Sequence, residues 1–387
     1  MTVWTRRWRL RSCSAVLPAL LVPAVLLLPG TAAADPVPRG AGTAGTVIAV
    51  RDLPAHLWIP GAAEAHRIEY RTEWRSGEST PATGAVFLPP GPPPEGGWPV
   101  VAWGHGTTGM GDDCAHTTAF PRGVRENAYL GHWLDAGYAL VAADYPGLGS
   151  EGLHRYLDGP SAANSIVDLV RAAHTTGAPL SDRWVVLGQS QGGHAALHTG
   201  AVATRRAPEL DFRGTVATGA PANLEKAYLI GIPDFPDLGL QGLVSFSSYI
   251  FAALREAYPD ADVDSYLTPV GREIVDRAEE MCLLELEESV RGVKAGEVLA
   301  RPLSQPPLPA LLQDYLSVPV TGYDRPVLLA HGVKDAVVPL PLSAAHAAEM
   351  RAAGADVDYR VYDGGHGSTM ELSLPDVEAF IARVLAD

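Results

Sequence analysis

The stretch that most constrains this chain is Trp184 to His194, which reads W-V-V-L-G-Q-S-Q-G-G-H. Trp184, Val185, Val186 and Leu187 make an apolar run of strand length. Gly188-Gln189-Ser190-Gln191-Gly192 follows at once, and Ala195, Ala196 and Leu197 continue with helical composition. A serine forced into a sharp strand-to-helix turn needs neighbours without bulk two residues to either side. Gly188 and Gly192 supply that. The turn holds the Ser190 hydroxyl clear of the backbone at a helix N-terminus, where developing negative charge is stabilised. A bare G-x-S-x-G is a weak signal. The β-type run before it and Gly193 after it give it a context.

The first residues read as an address. Arg6, Arg7, Arg9 and Arg11 precede the apolar Ala15 to Leu28, and Ala32-Ala33-Ala34 has the small side chains of a cleavage site. Residues 1–34 are expected to be a signal peptide, with Asp35 opening the mature, secreted chain. The apolar run is short and broken by Pro18 and Pro23, so no stable membrane anchor is expected. Thr5 to Leu10 resembles a twin-arginine signal with Arg9 where an aromatic is usual, which leaves the export route open. Without the leader's four arginines, 25 basic side chains face 44 acidic ones, a net charge of −19. Such a surface repels nucleic acid and anionic membranes. Cys13 leaves with the leader. Cys114 and Cys282 remain, an even pair in an oxidising compartment, and are expected to form a disulfide.

Three early segments, Thr46–Val50, His66–Trp74 and Gly84–Leu88, read as antiparallel edge strands. Pro99–Trp103, Ala139–Gly147, Trp184–Leu187, Phe212–Ala220, Pro326–Gly332 and Asp356–Tyr362 read as further strands, most of them apolar enough to be buried on both faces. Helices are expected over Val124–Ala136, after a Ser161 cap, after Ser190, over Leu342–Ala353 and over Leu374–Leu385. The alternation predicts an α/β fold, a mostly parallel central sheet with helices on both faces. About a hundred residues interrupt it, far beyond an ordinary crossover. Residues 35–220 and 324–387 are therefore assigned to the core, and 221–323 to an inserted, mainly helical cap or lid. That insertion holds an apolar segment at Leu238–Leu254 and an acidic helical segment at Glu273–Val290.

A serine nucleophile needs a base to take its proton and an acid to orient that base. On this architecture they come in the order serine, acid, histidine, each after a later strand. Asp335 follows the strand ending near Ala330, and His366 lies in the glycine-rich Asp363-Gly-Gly-His-Gly367. Asp324 precedes its strand. His331 lies on or beside a strand, His346 sits in a helix, and Asp363 is awkwardly close to His366 for pairing. The predicted triad is Ser190, Asp335 and His366. The backbone amides of Gln191 and Thr107, with Gly106 as second choice, are the predicted oxyanion donors, since Gly104-His-Gly-Thr107 ends a buried strand. Asp112-Asp113 with His116 lacks a recognisable ligand spacing, so no metal is expected, and the chemistry requires no cofactor.

These motifs together resemble a family. V-A-W-G-H-G-T-T-G at Val101–Gly109, A-D-Y-P-G-L-G at Ala143–Gly149 and Y-L-D-G-P-S-A-A-N-S at Tyr156–Ser165 are similar to the secretory lipases of lipase A type. So are G-Q-S-Q-G-G-H at Gly188–His194 and H-G-V-K-D-A-V-V-P at His331–Pro339. The resemblance implies an α/β-hydrolase fold and a secreted esterase or triacylglycerol lipase, with a lid in the inserted region and an ester or lipid substrate met at a lipid–water interface. Two rivals share the triad: an esterase restricted to small soluble esters, and a secreted serine peptidase on the same fold.

Overall fold

The computed structural model describes residues 43–386. The predicted signal peptide lies outside the described residues. Nine strands form one sheet: β1 (Val47–Asp52), β2 (Glu64–Glu73), β3 (Ser79–Leu88), β4 (Trp98–Gly104), β5 (Ala139–Ala143), β6 (Leu180–Gln189), β7 (Asp211–Thr218), β8 (Val327–Gly332) and β9 (Val357–Tyr362). Their spatial order is β1-β2-β3-β5-β4-β6-β7-β8-β9. The pairs from β1 to β5 are antiparallel, and from β5 through β4 to β9 the sheet is parallel. This is the mostly parallel sheet that the alternation of elements predicts, in the α/β-hydrolase architecture that the family resemblance implies.

The inner strands carry apolar residues on both faces because both faces are covered. In β4, Val100 and Ala102 join one core layer, while Val101 and Trp103 join the other. In β6, Trp184 and Val186 divide from Val185 and Leu187 in the same way. Helices α1 (Val124–Asp135), α2 (Gly159–His174) and α3 (Gln191–Arg206) belong to the core. Layer by layer, α2 and α3 cover the first face, and α1 with the last helix covers the second. The cap of α2 is Asp158 rather than Ser161: its carboxylate accepts from the Ser161 amide at 3.3 Å and the Ser161 hydroxyl at 2.7 Å. Proline at the second helical position moves the start two residues upstream of the serine.

Between β7 and β8 the chain leaves the sheet. It forms helices α4 (Leu243–Ala257), α5 (Pro269–Ala278), α6 (Leu283–Ser289) and α7 (Leu308–Leu316), with shorter turns between them. The predicted acidic helix over Glu273–Val290 is in fact two, broken at Glu279–Cys282. These helices have an apolar core of their own, to which the sheet domain lends Met110, Tyr156 and Leu157. After β8 come α8 (Leu340–Ala352) and α9 (Leu374–Leu385), the latter being the last helix named above. The predicted disulfide joins Cys114 to Cys282 across the two regions, with Cα atoms 5.3 Å apart.

Candidate active site

Thr107, Ser190, Gln191, Asp335 and His366 follow the carboxyl ends of β4, β6, β8 and β9, where open α/β sheets place their sites. Ser190 follows β6 with φ 55° and ψ −120°, a left-handed conformation that a non-glycine residue holds only under constraint. The constraint is backbone packing. A β-carbon on Gly188 would lie 2.0 Å from the Gly192 carbonyl oxygen, and one on Gly192 would lie 1.8 Å from that of Gly104. The Ser190 amide donates to Thr218 O at 2.9 Å, tying the turn to the end of β7. Gln191 opens α3, so its amide has no intrahelical partner.

Asp335 and His366 meet. His366 Nδ1 lies 2.7 Å from Asp335 Oδ2. The other carboxylate oxygen accepts from the Val337 and Val338 amides at 2.9 and 2.8 Å. Burial pushes the Asp335 carboxyl upward, but the His366 hydrogen bond, its charge and the two amides outweigh that, so it ends below the ordinary carboxylate range. The two loops are zipped together: Val333 N donates to Tyr362 O and Lys334 N to Gly364 O, each at 2.9 Å. His366 packs against Gly219, where an added β-carbon would sit 3.2 Å from the imidazole and 3.7 Å from Asp335 Oδ2. Gly219 is next to Thr218, the partner of the Ser190 amide, so the pair stands beside the serine. Among the described residues no hydrogen bond joins the Ser190 hydroxyl to His366; catalytic contacts of this kind often tighten only when substrate is bound.

The competing side chains are accounted for. Asp363 is exposed and pairs with Lys334 at 2.6 Å. Asp324 accepts from Thr204 at the far end of the sheet. His346 is buried in α8. His331 is buried too, with Nε2 2.9 Å from Val338 O and 3.3 Å from Asp335 Oδ2, so it braces the acid's loop. His105 bonds Gly106 O at 2.6 Å, and burial lowers its pKa to about 3, which keeps it neutral.

Gly106 and Thr107 run alongside the serine. A β-carbon on Gly106 would be 2.8 Å from Gln189 Oε1 and 3.8 Å from Ser190 Cβ. The Thr107 amide has no partner among the described residues. Its hydroxyl lies 2.8 Å from the Tyr156 hydroxyl. Sequence reasoning missed His154, whose Nε2 accepts from Gln191 Nε2 at 2.9 Å when its Nδ1 donates to Pro146 O at 3.2 Å. Burial lowers its pKa to about 4, so the ring stays neutral. No local pattern could have found a pair 37 residues apart.

Ser190 opens into a cavity of about 410 Å³, within the range of small-molecule sites. Phe246, Ile250 and Phe251 of α4 line it, with Leu224, Leu303 and Leu342. Among the described residues, none that lines it is charged. The apolar segment that the sequence singles out therefore forms a wall of this cavity.

A family model described as secretory lipase matches residues 124–382. Among curated proteins, none matches the sequence. Similar solved structures include Candida antarctica lipase A in its closed state, 20% identical with a TM-score of 0.74, covering 89% of this chain and 84% of that one. A ligand-bound form of LipA, the rice cell wall degrading esterase of Xanthomonas oryzae, is 21% identical with a TM-score of 0.70, over 89% and 99% of the two chains. At these identities the likeness is one of fold.

Proposed function

The chain belongs to the secretory lipase family and is a carboxylic-ester hydrolase, and on that premise we propose that it is an exported lipase or esterase working through a Ser190–His366–Asp335 triad. Ser190 Oγ attacks the ester carbonyl while His366 Nε2 takes its proton. Asp335 holds the Nδ1–H and stabilises the imidazolium that forms. The amides of Gln191 and Thr107 receive the oxyanion. The alcohol leaves with the proton from His366, and water then releases the acid from the acyl-serine by the same steps in reverse.

Residues 221–323 act as a cap whose cavity takes the acyl chain. The observation that carries this reading is the position of Ser190 in the wall of an uncharged, largely apolar cavity formed mostly by the insertion. Ile230 and Leu238 line that cavity and are also 61% and 52% exposed. An apolar rim of this kind favours a lipid–water interface as the working surface. A peptide's amino terminus would find no carboxylate in the lining, so nothing favours the peptidase reading.

Ser190→Ala is expected to abolish hydrolysis of p-nitrophenyl esters, and a serine-reactive phosphonate to label Ser190 alone. Persistent turnover in the variant, or a label on another serine, would remove the assignment. Rates across esters of rising chain length, beside a peptide anilide panel, separate lipase from small-ester esterase and from peptidase.

A further inference from the structure

Tyr156 sits in the connection between β5 and α2. The next residue, Leu157, has φ 60°, a left-handed conformation that a leucine adopts only when its surroundings impose it. That turn carries the Tyr156 ring across to the loop after β4, where its hydroxyl lies 2.8 Å from Thr107 Oγ1. This is the one side-chain hydrogen bond of Thr107 among the described residues. Tyr156 is 4% exposed, and burial raises its pKa above the ordinary phenol range, so the hydroxyl stays protonated. It also lines the cavity that holds Ser190.

From the other side the inserted helices grip the same residue. Tyr315 of α7 donates to Tyr156 O at 3.1 Å, and the Tyr249 ring of α4 packs on it with centroids 5.5 Å apart. Tyr249 in turn donates to Met281 O at 3.0 Å, beside Cys282. The chain just after Thr107 is strapped to that same point. Leu283 N donates to Thr108 O at 2.7 Å, Gly109 pairs with Cys282, and the disulfide follows at Cys114. Thr107 thus lies between the end of β4 and a fixed strap, with Tyr156 as its side-chain anchor.

We propose that Tyr156 is a positioning residue which fixes Thr107, and with it the Thr107 amide, beside Ser190, and that the insertion controls this placement by holding Tyr156. The inference rests on the reading of Ser190 as nucleophile and the Thr107 amide as oxyanion donor. It extends that reading: the insertion shapes the transition-state site as well as the binding cavity.

The test is a double-mutant cycle in the mature protein with one p-nitrophenyl ester. Tyr156→Phe and Thr107→Val each remove one hydroxyl and leave the aromatic ring at 156 and both backbone amides in place. Each is expected to lower kcat about 10- to 100-fold, the scale of a misplaced catalytic group, with KM changed by less than about twofold. The double variant should be no slower than the worse single one. Thr107→Ser, which keeps the hydroxyl, should recover most of the rate. Additive losses would mean that Tyr156 acts on the substrate by itself, and a loss confined to KM would make it part of the cavity wall; either overturns the positioning role, as do unchanged rates. Should Tyr156→Phe fold poorly, the Thr107→Val and Thr107→Ser pair decides alone. Ser190→Ala separates the two levels: activity in that variant breaks the underlying reading, whereas an inactive Ser190→Ala beside a fully active Tyr156→Phe breaks only this inference.

Discussion

The sheet region and the inserted helices solve different problems with different physics. In the sheet region the groups around Ser190 are held by backbone against backbone: Gly188 on Gly192, Gly192 on Gly104, the Ser190 amide on Thr218 O. Contacts of that kind leave tenths of an ångström of freedom, the tolerance that chemistry requires. The insertion instead packs side chain on side chain around Tyr249, Ile250 and Phe251, and leaves an apolar cavity open. It contains no histidine, whereas all twelve lie outside it. One region is built to place atoms and the other to fit a shape.

The largest expected effect comes from breaking placement without breaking packing. Asp335→Asn keeps the volume of the side chain but no longer holds a protonated Nδ1 on His366. Turnover is expected to fall on the order of 10³–10⁴-fold, with a midpoint of thermal unfolding close to that of the parent. Steady-state kinetics beside a melting curve check this. A loss of stability to match the loss of rate would mean that Asp335 serves the fold rather than the imidazole.

Next comes the junction between the regions. The Cys114–Cys282 bond closes a span of 168 residues and clamps the insertion next to the loop that carries Thr107. Replacing both cysteines by serine is expected to cost about 2–5 kcal/mol of stability. It should also lower kcat more than it raises KM, because the strap bears on Thr108 and Gly109. Denaturant titration and kinetics of the double variant test it. A change in KM alone would show that the strap supports the cavity and leaves the chemistry untouched.

Acid should separate the regions more gently. Burial lowers His105, His116 and His194 to about 3 and His154 and His346 to about 4, against about 6.5 in an unfolded chain. The unfolded state therefore binds more protons below about pH 6.5, and stability falls as pH drops from there toward those folded values. Asp335, whose carboxyl is depressed, contributes stability that is fully present above the ordinary carboxylate pKa and is lost as pH falls from there through its lowered folded value. Hydrogen exchange at pH 5.5 against 7.5, corrected for intrinsic rates, should show protection lost first around α3 and α8, which carry His194, His198 and His346. Earlier loss in α4 would contradict the division.

How much of this the sequence disclosed follows the same line. Local chemistry was legible: the elbow glycines, the strand–acid and strand–histidine spacing and the cysteine pair each leave a short-range mark, and the structure brings Asp335 to His366 and Cys114 to Cys282. Contacts between remote side chains were not. Tyr156 meets Thr107 from 49 residues away, and His154 meets Gln191 from 37, with no periodicity to announce either. The insertion was legible as an interruption and as an apolar run at Leu238–Leu254. Its break at Cys282 was not, because the acidic pattern runs on through a point set by the disulfide and the pairing with Gly109.

The smallest expected effect sharpens the shape-fitting half of the comparison. Phe246 and Phe251 both line the cavity, but they are not equivalent probes. Phe251 is 3% exposed within the insertion's own core, so truncating it is expected to cost about 3–5 kcal/mol and to blur any reading of specificity. Phe246 is only partly buried, lying over Gly242 at the start of α4. Phe246→Ala therefore removes cavity wall at less structural cost. Each methylene that finds apolar contact is worth roughly 0.8 kcal/mol, so kcat/KM in the parent should climb by up to about fourfold per added methylene until the cavity is filled. In Phe246→Ala that climb should flatten for chains that reach the missing ring, while acetyl-ester turnover stays within about twofold. Equal losses on acetyl and long-chain esters, with a lowered melting midpoint, would show that α4 serves packing alone and that the acyl chain lies elsewhere.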